Sequence, residues 1–106
     1  DGEKTKSGVA PSEVEAFADE IAGYPGLRLR GLMAIPAPAA DSESRRRPLA
    51  AMRALFERLR VKHSGMDTLS MGMSADMDEA VSEGATMVRV GRAVFGPRDY
   101  SAKCAV

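Results

Sequence analysis

Two short turns in the last third of the chain carry the residue types that hold phosphate. Gly72-Met73-Ser74 follows the apolar run Leu69-Ser70-Met71, and Gly91-Arg92 follows Met87-Val88-Arg89-Val90. A phosphate needs several backbone N–H donors at close range, a hydroxyl, and preferably a helix N-terminus pointed at it. Gly72 and Gly91 have no Cβ to block the approach. Ser74 offers a hydroxyl and an amide, and the segments from Ala75 and Ala93 read as short helical pieces whose first N–H groups are free. Spacing alone leaves Ser74 a second role, that of a helix N-cap accepting from the amide of Asp76 or Met77. Asp76 and Asp78 count against phosphate, because they already bring negative charge to that helix start.

Arg89 is the other residue with chemistry to offer. It is a permanent cation between Val88 and Val90, at the end of an otherwise apolar strand. Facing an interior, it would need a carboxylate, a phosphate or a ring nitrogen beside it. Facing outward, it would extend its head into water. Met33, Met71, Met73, Met77 and Met87 read as core packing. His63 falls in a polar helix-to-strand loop and reads as a surface residue. With one histidine in the chain, no Ser/His/Asp set and no Cys/His metal cluster is available.

The elements that must position these residues alternate. A helix is expected over 12–23, with Ser12 as N-cap, Pro11 just outside, and Val14, Phe17, Ala18 and Ile21 as its apolar stripe. Residues 27–35 alternate and then become continuously apolar, the pattern of a strand that enters a core covered on both faces. Pro36-Ala37-Pro38 ends it, and 37–44 reads as a flexible loop. A long helix follows over 46–62, with Leu49, Met52, Leu55, Phe56 and Leu59 inward and Pro48 tolerable only in its first turn. A short strand over 67–71, a helix over 74–83 closed by Gly84, a strand over 85–90 and a single turn at 93–95 complete the order.

Helix, strand, helix, strand, helix, strand is the signature of βαβ crossovers and a parallel α/β sheet. Three parallel strands leave both sheet edges open. The expectation is therefore the C-terminal part of a (β/α)8 barrel of the TIM type, three parallel strands alternating with helices, spanning 1–106 with an irregular tail from about 99. In such barrels phosphate is frequently held after the last two strands, where Gly72-Met73-Ser74 and Gly91-Arg92 fall.

Composition narrows the function classes. The 106 residues contain 15 Lys plus Arg and 15 Asp plus Glu, a formal net charge of zero. Nothing there favours sequence-independent nucleic-acid or anionic-membrane binding. Arg45-Arg46-Arg47 is the only basic run and reads as a solvated loop or helix start. The one cysteine, Cys104, cannot form an internal disulfide and reads as a tail thiol in a reducing, cytoplasmic setting. No apolar run approaches the roughly 20 residues of a membrane-spanning helix. The start at Asp1-Gly2-Glu3-Lys4-Thr5-Lys6, without an initiator methionine, suggests a piece of a longer protein or a processed one.

Gly31-Leu32-Met33-Ala34-Ile35-Pro36, Leu69-Ser70-Met71-Gly72-Met73-Ser74-Ala75-Asp76-Met77 and Met87-Val88-Arg89-Val90-Gly91, with Phe95-Gly96, together resemble the pyridoxal phosphate homeostasis protein family. Lys6-Ser7-Gly8 resembles it too, so the likeness covers nearly the whole chain, in order. It implies a single-domain barrel like the N-terminal domain of alanine racemase. Such a barrel binds pyridoxal 5′-phosphate through a Schiff base to a lysine, and buffers or delivers the cofactor, with apoenzymes that depend on it as the implied recipients, rather than turning over a substrate.

Carried over, Met73 and Ser74 would contact the phosphate after one strand, and Gly91 and Arg92 after the next. Arg89 would face the pyridine nitrogen and keep it unprotonated, which weakens the cofactor as an electron sink. Two departures stand out. Position 92 is more often a small hydroxyl residue in that family. The Schiff-base lysine belongs to an early strand absent here, and Lys4, Lys6, Lys62 and Lys103 are in the wrong context to replace it. The likeness is thus to the C-terminal half, with an N-terminal barrel half missing. Two further readings stay open: half of a racemase-like pyridoxal-phosphate enzyme, and half of a phosphate-sugar barrel in which Arg89 pairs with a protein carboxylate.

Overall fold

A computed structural model of the chain describes Lys4 and residues 6–99. A 3-10 turn, Pro11–Glu13, leads into α1 (Val14–Ala22); β1 (Gly31–Ala34), α2 (Ser42–Lys62), β2 (Thr68–Met71), α3 (Met77–Ser82) and α4 (Arg92–Phe95) follow. Cys104 and Lys103 lie outside the described residues.

The core forms where α2 lies across the two strands. Leu49, Leu55, Phe56 and Leu59 of α2 are buried against Leu69 and Met71 of β2, with Met66 and Ala80 completing the cluster and Met52 half-buried at its edge. Helix α2 begins earlier than its apolar pattern suggests, because Asp41 caps it: the carboxylate accepts from the Ser44 amide at 2.9 Å. That start places Pro48 beyond the first turn, inside the helix. Its fixed φ is compatible with the helix, and what is lost is the one hydrogen bond its nitrogen cannot donate.

Helix α1 departs in the opposite sense. Pro11 occupies the first position of the 3-10 turn, and Ser12 makes no capping bond. Of the expected stripe Ala18 is buried, Val14 and Ile21 are half-buried, and Phe17 is exposed.

β1 and β2 pair in parallel, with Gly31, Leu32, Met33 and Ala34 opposite Thr68, Leu69, Ser70 and Met71. Pairing stops at four residues, so 27–30 is not strand. Arg30 clamps the entrance of both strands. Its guanidinium donates to both carboxylate oxygens of Asp67, at 2.9 and 2.8 Å, and its carbonyl accepts from the amides of Asp67 and Thr68.

The third strand expected over 85–90 is reduced to a single bridge, Ser70 to Met87. Thr86 is the reason. Its hydroxyl accepts from the Leu69 amide at 2.7 Å, taking the place a strand carbonyl would fill, while the amides of Thr86 and Met87 both turn to the Leu69 carbonyl. The named sheet is therefore two-stranded, with 85–89 running beside it.

The methionines divide by face. Met71 and Met66 are core, but Met33 and Met87, expected inside, are 60% and 51% exposed. They sit in one row with Ser70 across the sheet, on the side opposite α2, where no described element packs. His63 is likewise not a surface residue. Its side chain is 12% exposed, and Nε2 lies 2.9 Å from Oδ1 of Asp19 on α1, which also accepts from Lys62 at 2.7 Å. The lysine contact first, and the histidine contact after it, hold the Asp19 carboxyl below its ordinary range.

Arg30 first, and the Thr68 hydroxyl second, pull the Asp67 carboxyl from 3.8 down to about 2. A carboxylate more acidic in the folded than in the unfolded chain adds stability above its unfolded value and loses it as pH falls. Thermal melts between about pH 3.8 and 2 should therefore show a steeper loss of stability for the native chain than for Asp67→Asn. Equal slopes would mean the clamp adds nothing. Both side chains are more than half exposed, so the difference should be modest.

Candidate functional site

The C-terminal ends of β1, β2 and the 85–90 segment open into one cavity of about 980 Å³. Three pieces of backbone wall it: the 34–39 loop after β1, the 72–76 turn after β2, and residues 88–92 with the start of the tail. Met73, Ser74, Arg89, Gly91 and Arg92 all line it.

The two turns are tied together. The Gly72 carbonyl accepts from the Arg89 amide at 2.8 Å, and the Ser74 hydroxyl accepts from the Ala93 amide at 2.9 Å. Ser74 is thus not the cap of α3, whose N-cap is Asp76. A hydroxyl has one proton and two lone pairs, so accepting from Ala93 leaves the Ser74 proton to donate into the cavity. Gly72 sits at φ +106°, and a Cβ there would lie 2.6 Å from that of Ala80. Only glycine lets the chain turn there while α3 packs this close. Among the described residues the amides of Ser74, Ala75 and Arg92 donate to nothing, and the Met73 amide is taken by Asp76 Oδ1 at 2.8 Å. Met73 and Arg92 stand exposed at the rim.

Arg89 points inward. Its Nη2 donates to the Ala34 carbonyl at the end of β1, at 3.0 Å, so it crosses the cavity floor from one strand end to another. Its Nε is buried and has no hydrogen-bond partner among the described residues. A buried donor left unmade costs roughly 1–3 kcal/mol, which marks a place where an acceptor belongs.

Charge favours an anion. Among the described residues Lys6, Arg45, Arg89, Arg92 and Arg98 line the cavity against one carboxylate, Asp76, which is turned to the Met73 amide. Lys6 and Arg45 were not expected here. Lys6, set aside by its sequence context, donates from Nζ to the Ile35 carbonyl at 2.9 Å, and no pattern around it announces this. Arg45 is no solvated member of a basic run. It donates to the Ala39 and Ala40 carbonyls at 3.0 and 2.8 Å and to Glu79 at 2.8 Å. A signal for it did exist. Glu79 precedes Ala80 on the buried side of α3, and a carboxylate at a core position requires a partner. Arg45 holds the Glu79 carboxyl below its ordinary value, against the opposing effect of burial.

Residues 1–99 match the family model for the alanine racemase N-terminal domain. The chain belongs to the alanine racemase N-terminal domain family. The likeness read from its motifs also holds among full-length members. The chain is 50% identical over 101 residues to the pyridoxal phosphate homeostasis protein of Pseudomonas aeruginosa, covering 95% of itself and 43% of that relative. Against the protein of the same name from Escherichia coli K12 it is 46% identical over 101 residues, with the same two coverages.

Among solved structures, PipY of Synechococcus elongatus with pyridoxal phosphate bound superimposes with a TM-score of 0.77 at 31% identity, over 86% of this chain and 44% of that one. A protein of unknown function from Bifidobacterium adolescentis gives 0.81 at 37% identity, over 89% and 39%. The chain thus spans less than half the length of these relatives. No helix of the described residues is long and apolar enough to cross a membrane.

Proposed function

We propose that this chain provides the phosphate end and the ring-nitrogen contact of a pyridoxal 5′-phosphate site, in a cytoplasmic protein that buffers or delivers the cofactor without turning over a substrate. The observation that carries this reading is the buried, unpartnered Nε of Arg89, in one cavity with two turns that present free amides. A pyridine nitrogen with a free lone pair is the acceptor that Nε–H lacks, and a phosphate is the acceptor that the free amides and the Ser74 proton lack. The relative with the cofactor bound supports the same choice.

The cofactor supplies a reactive aldehyde on an electron-withdrawing ring. An arginine cannot hand its proton to the ring nitrogen; held by Arg89, that nitrogen stays unprotonated and the ring is a weak electron sink. This suits storage better than turnover. The exposed row of Met33 and Met87, together with the greater length of the relatives, supports a barrel completed by further strands. Those strands would carry the Schiff-base lysine, and apoenzymes would be the recipients.

Titration of the chain with pyridoxal phosphate, followed by absorbance, tests the reading: reversible, weak binding is expected. Borohydride treatment and mass spectrometry should find no adduct, and an adduct would overturn the non-covalent part. Ser74→Ala should lower affinity about 10-fold, the worth of one hydrogen bond to a charged group. Its melting temperature should barely move, because the Ala93 amide is exposed and water can replace the hydroxyl. A fall in melting temperature with unchanged affinity would leave Ser74 only a structural role.

Racemisation is the alternative that the family's description raises. It needs a proton-transfer group on each face of the reacting carbon. Among the described residues the cavity's titratable groups other than arginines are Lys6 and Asp76, and both are already hydrogen-bonded. A racemisation assay on the full-length protein decides between the two.

A further inference from the structure

We propose that Arg45 and Glu79 form a latch that sets the distance between the two walls of the cavity, and so positions other groups for the cofactor. The inference rests on the cofactor reading above and adds to it a residue pair, one member of which lines the cavity, that controls affinity by holding the walls in place.

The geometry is specific to a guanidinium. Nε and Nη2 of Arg45 take the carbonyls of Ala39 and Ala40, and Nη1 takes Oε1 of Glu79 at 2.8 Å. Ala39 belongs to the loop after β1, one wall of the cavity. Glu79 is in the first turn of α3, directly behind the 72–76 turn that forms the facing wall. No hydrogen bond between described residues joins those two stretches of backbone directly. One planar, three-way donor spans them, with Glu79 almost wholly buried and Arg45 largely so.

Such a group fixes separation and angle together. An ammonium at position 45 would keep the charge but could not present three donors in one plane. If the wall after β1 drifts, the loop moves relative to the 72–76 turn, and groups on the two walls no longer meet one ligand together.

A purely electrostatic role and a positioning role make opposite predictions. Glu79 neutralises Arg45. If Arg45 served the site only as a positive charge, Glu79→Gln would free that charge and tighten binding of an anion. If the pair is a latch, the same substitution replaces a charge-assisted bond to Arg45 with a weaker one to a neutral amide oxygen, loosens the wall and weakens binding, although the cavity gains net positive charge.

Pyridoxal phosphate titrations of the native chain, Arg45→Lys, Arg45→Met and Glu79→Gln, each with a melting curve, separate these cases. Misplaced binding groups readily lose one to two powers of ten, so each of the three should bind about 10-fold more weakly than the native chain. Arg45→Lys should fail to rescue. Tighter binding by Glu79→Gln, or native affinity in Arg45→Lys, would overturn the latch in favour of charge. Lower melting temperatures with native affinities would overturn it in favour of a structural ion pair. Should Arg45→Met not fold, Glu79→Gln, which keeps the shape of the side chain, still decides. A native chain that binds no cofactor would remove the reading on which the latch rests, a different result from a native chain that binds as tightly as its variants.

Discussion

Gly31→Ala is expected to destabilise the chain by about 3 kcal/mol or more, the upper range for forcing extra volume into a packed site. Gly31 stands opposite Thr68 in the parallel pairing. A Cβ built on it would overlap the carbonyl oxygen of Thr68 and fall 2.6 Å from its carbonyl carbon. These are backbone atoms, so no rotamer change relieves the overlap and the strands must part. The sheet has only four residue pairs, so losing the first also strains the adjoining Arg30–Asp67 clamp.

Gly91→Ala is the control, because a Cβ there meets nothing within 4 Å and Gly91 has negative φ. Urea unfolding followed by circular dichroism should show a large shift for Gly31→Ala and almost none for Gly91→Ala. Similar midpoints would mean that the close approach of β1 to β2 is not what requires glycine at 31. Because the cavity wall hangs from the end of β1, cofactor affinity should fall with stability in the first variant.

The contrast between those two glycines shows what a sequence can and cannot announce. Gly91 was legible as a small residue at a strand end and Gly31 fell inside the strand expected over 27–35, but which of them faces a carbonyl is decided by register, a property of two segments at once. The buried side of α2 was legible because Leu49, Leu55, Phe56 and Leu59 follow one period within one helix. Its start was not, because Asp41 caps from outside the apolar pattern. The strand over 85–90 has the right composition, yet Thr86 spends its hydroxyl on the Leu69 amide and leaves one bridge. Met33 and Met87 read as core because apolar residues usually are, and which face lacks a covering layer is not written in their neighbours.

At the site, the two turns and Arg89 could be read because each is local. Arg45 had only the indirect signal of a carboxylate, Glu79, next to Ala80, since its partners Ala39, Ala40 and Glu79 come from two other pieces of chain. What links these cases is distance in sequence: a signal contained within one turn or one helix survives as a pattern, and one shared between segments does not.

Arg89→Met should have the largest effect on the cofactor, lowering affinity about 10- to 100-fold, the range for one hydrogen bond that involves a charged group. The loss should be selective. Inorganic phosphate, followed by phosphorus NMR, should bind nearly as it does to the native chain, because the Ser74 and Arg92 turns are untouched and the proposed contact of Arg89 is with the ring end. Equal losses for both ligands would mean that Arg89 acts as a general positive charge, and the assignment to the ring nitrogen would fall.

Stability gives an independent reading of the same residue. In the ligand-free chain the Arg89 side chain makes one hydrogen bond, to the Ala34 carbonyl, and carries one buried donor without a partner among the described residues. Methionine removes both the bond and the unsatisfied group while keeping an unbranched stem of similar reach. Ligand-free Arg89→Met should therefore melt close to the native chain, while the rise in melting temperature on adding cofactor should shrink with the lost affinity. A residue present for the fold would show the reverse, a lower ligand-free melt with an undiminished response to cofactor.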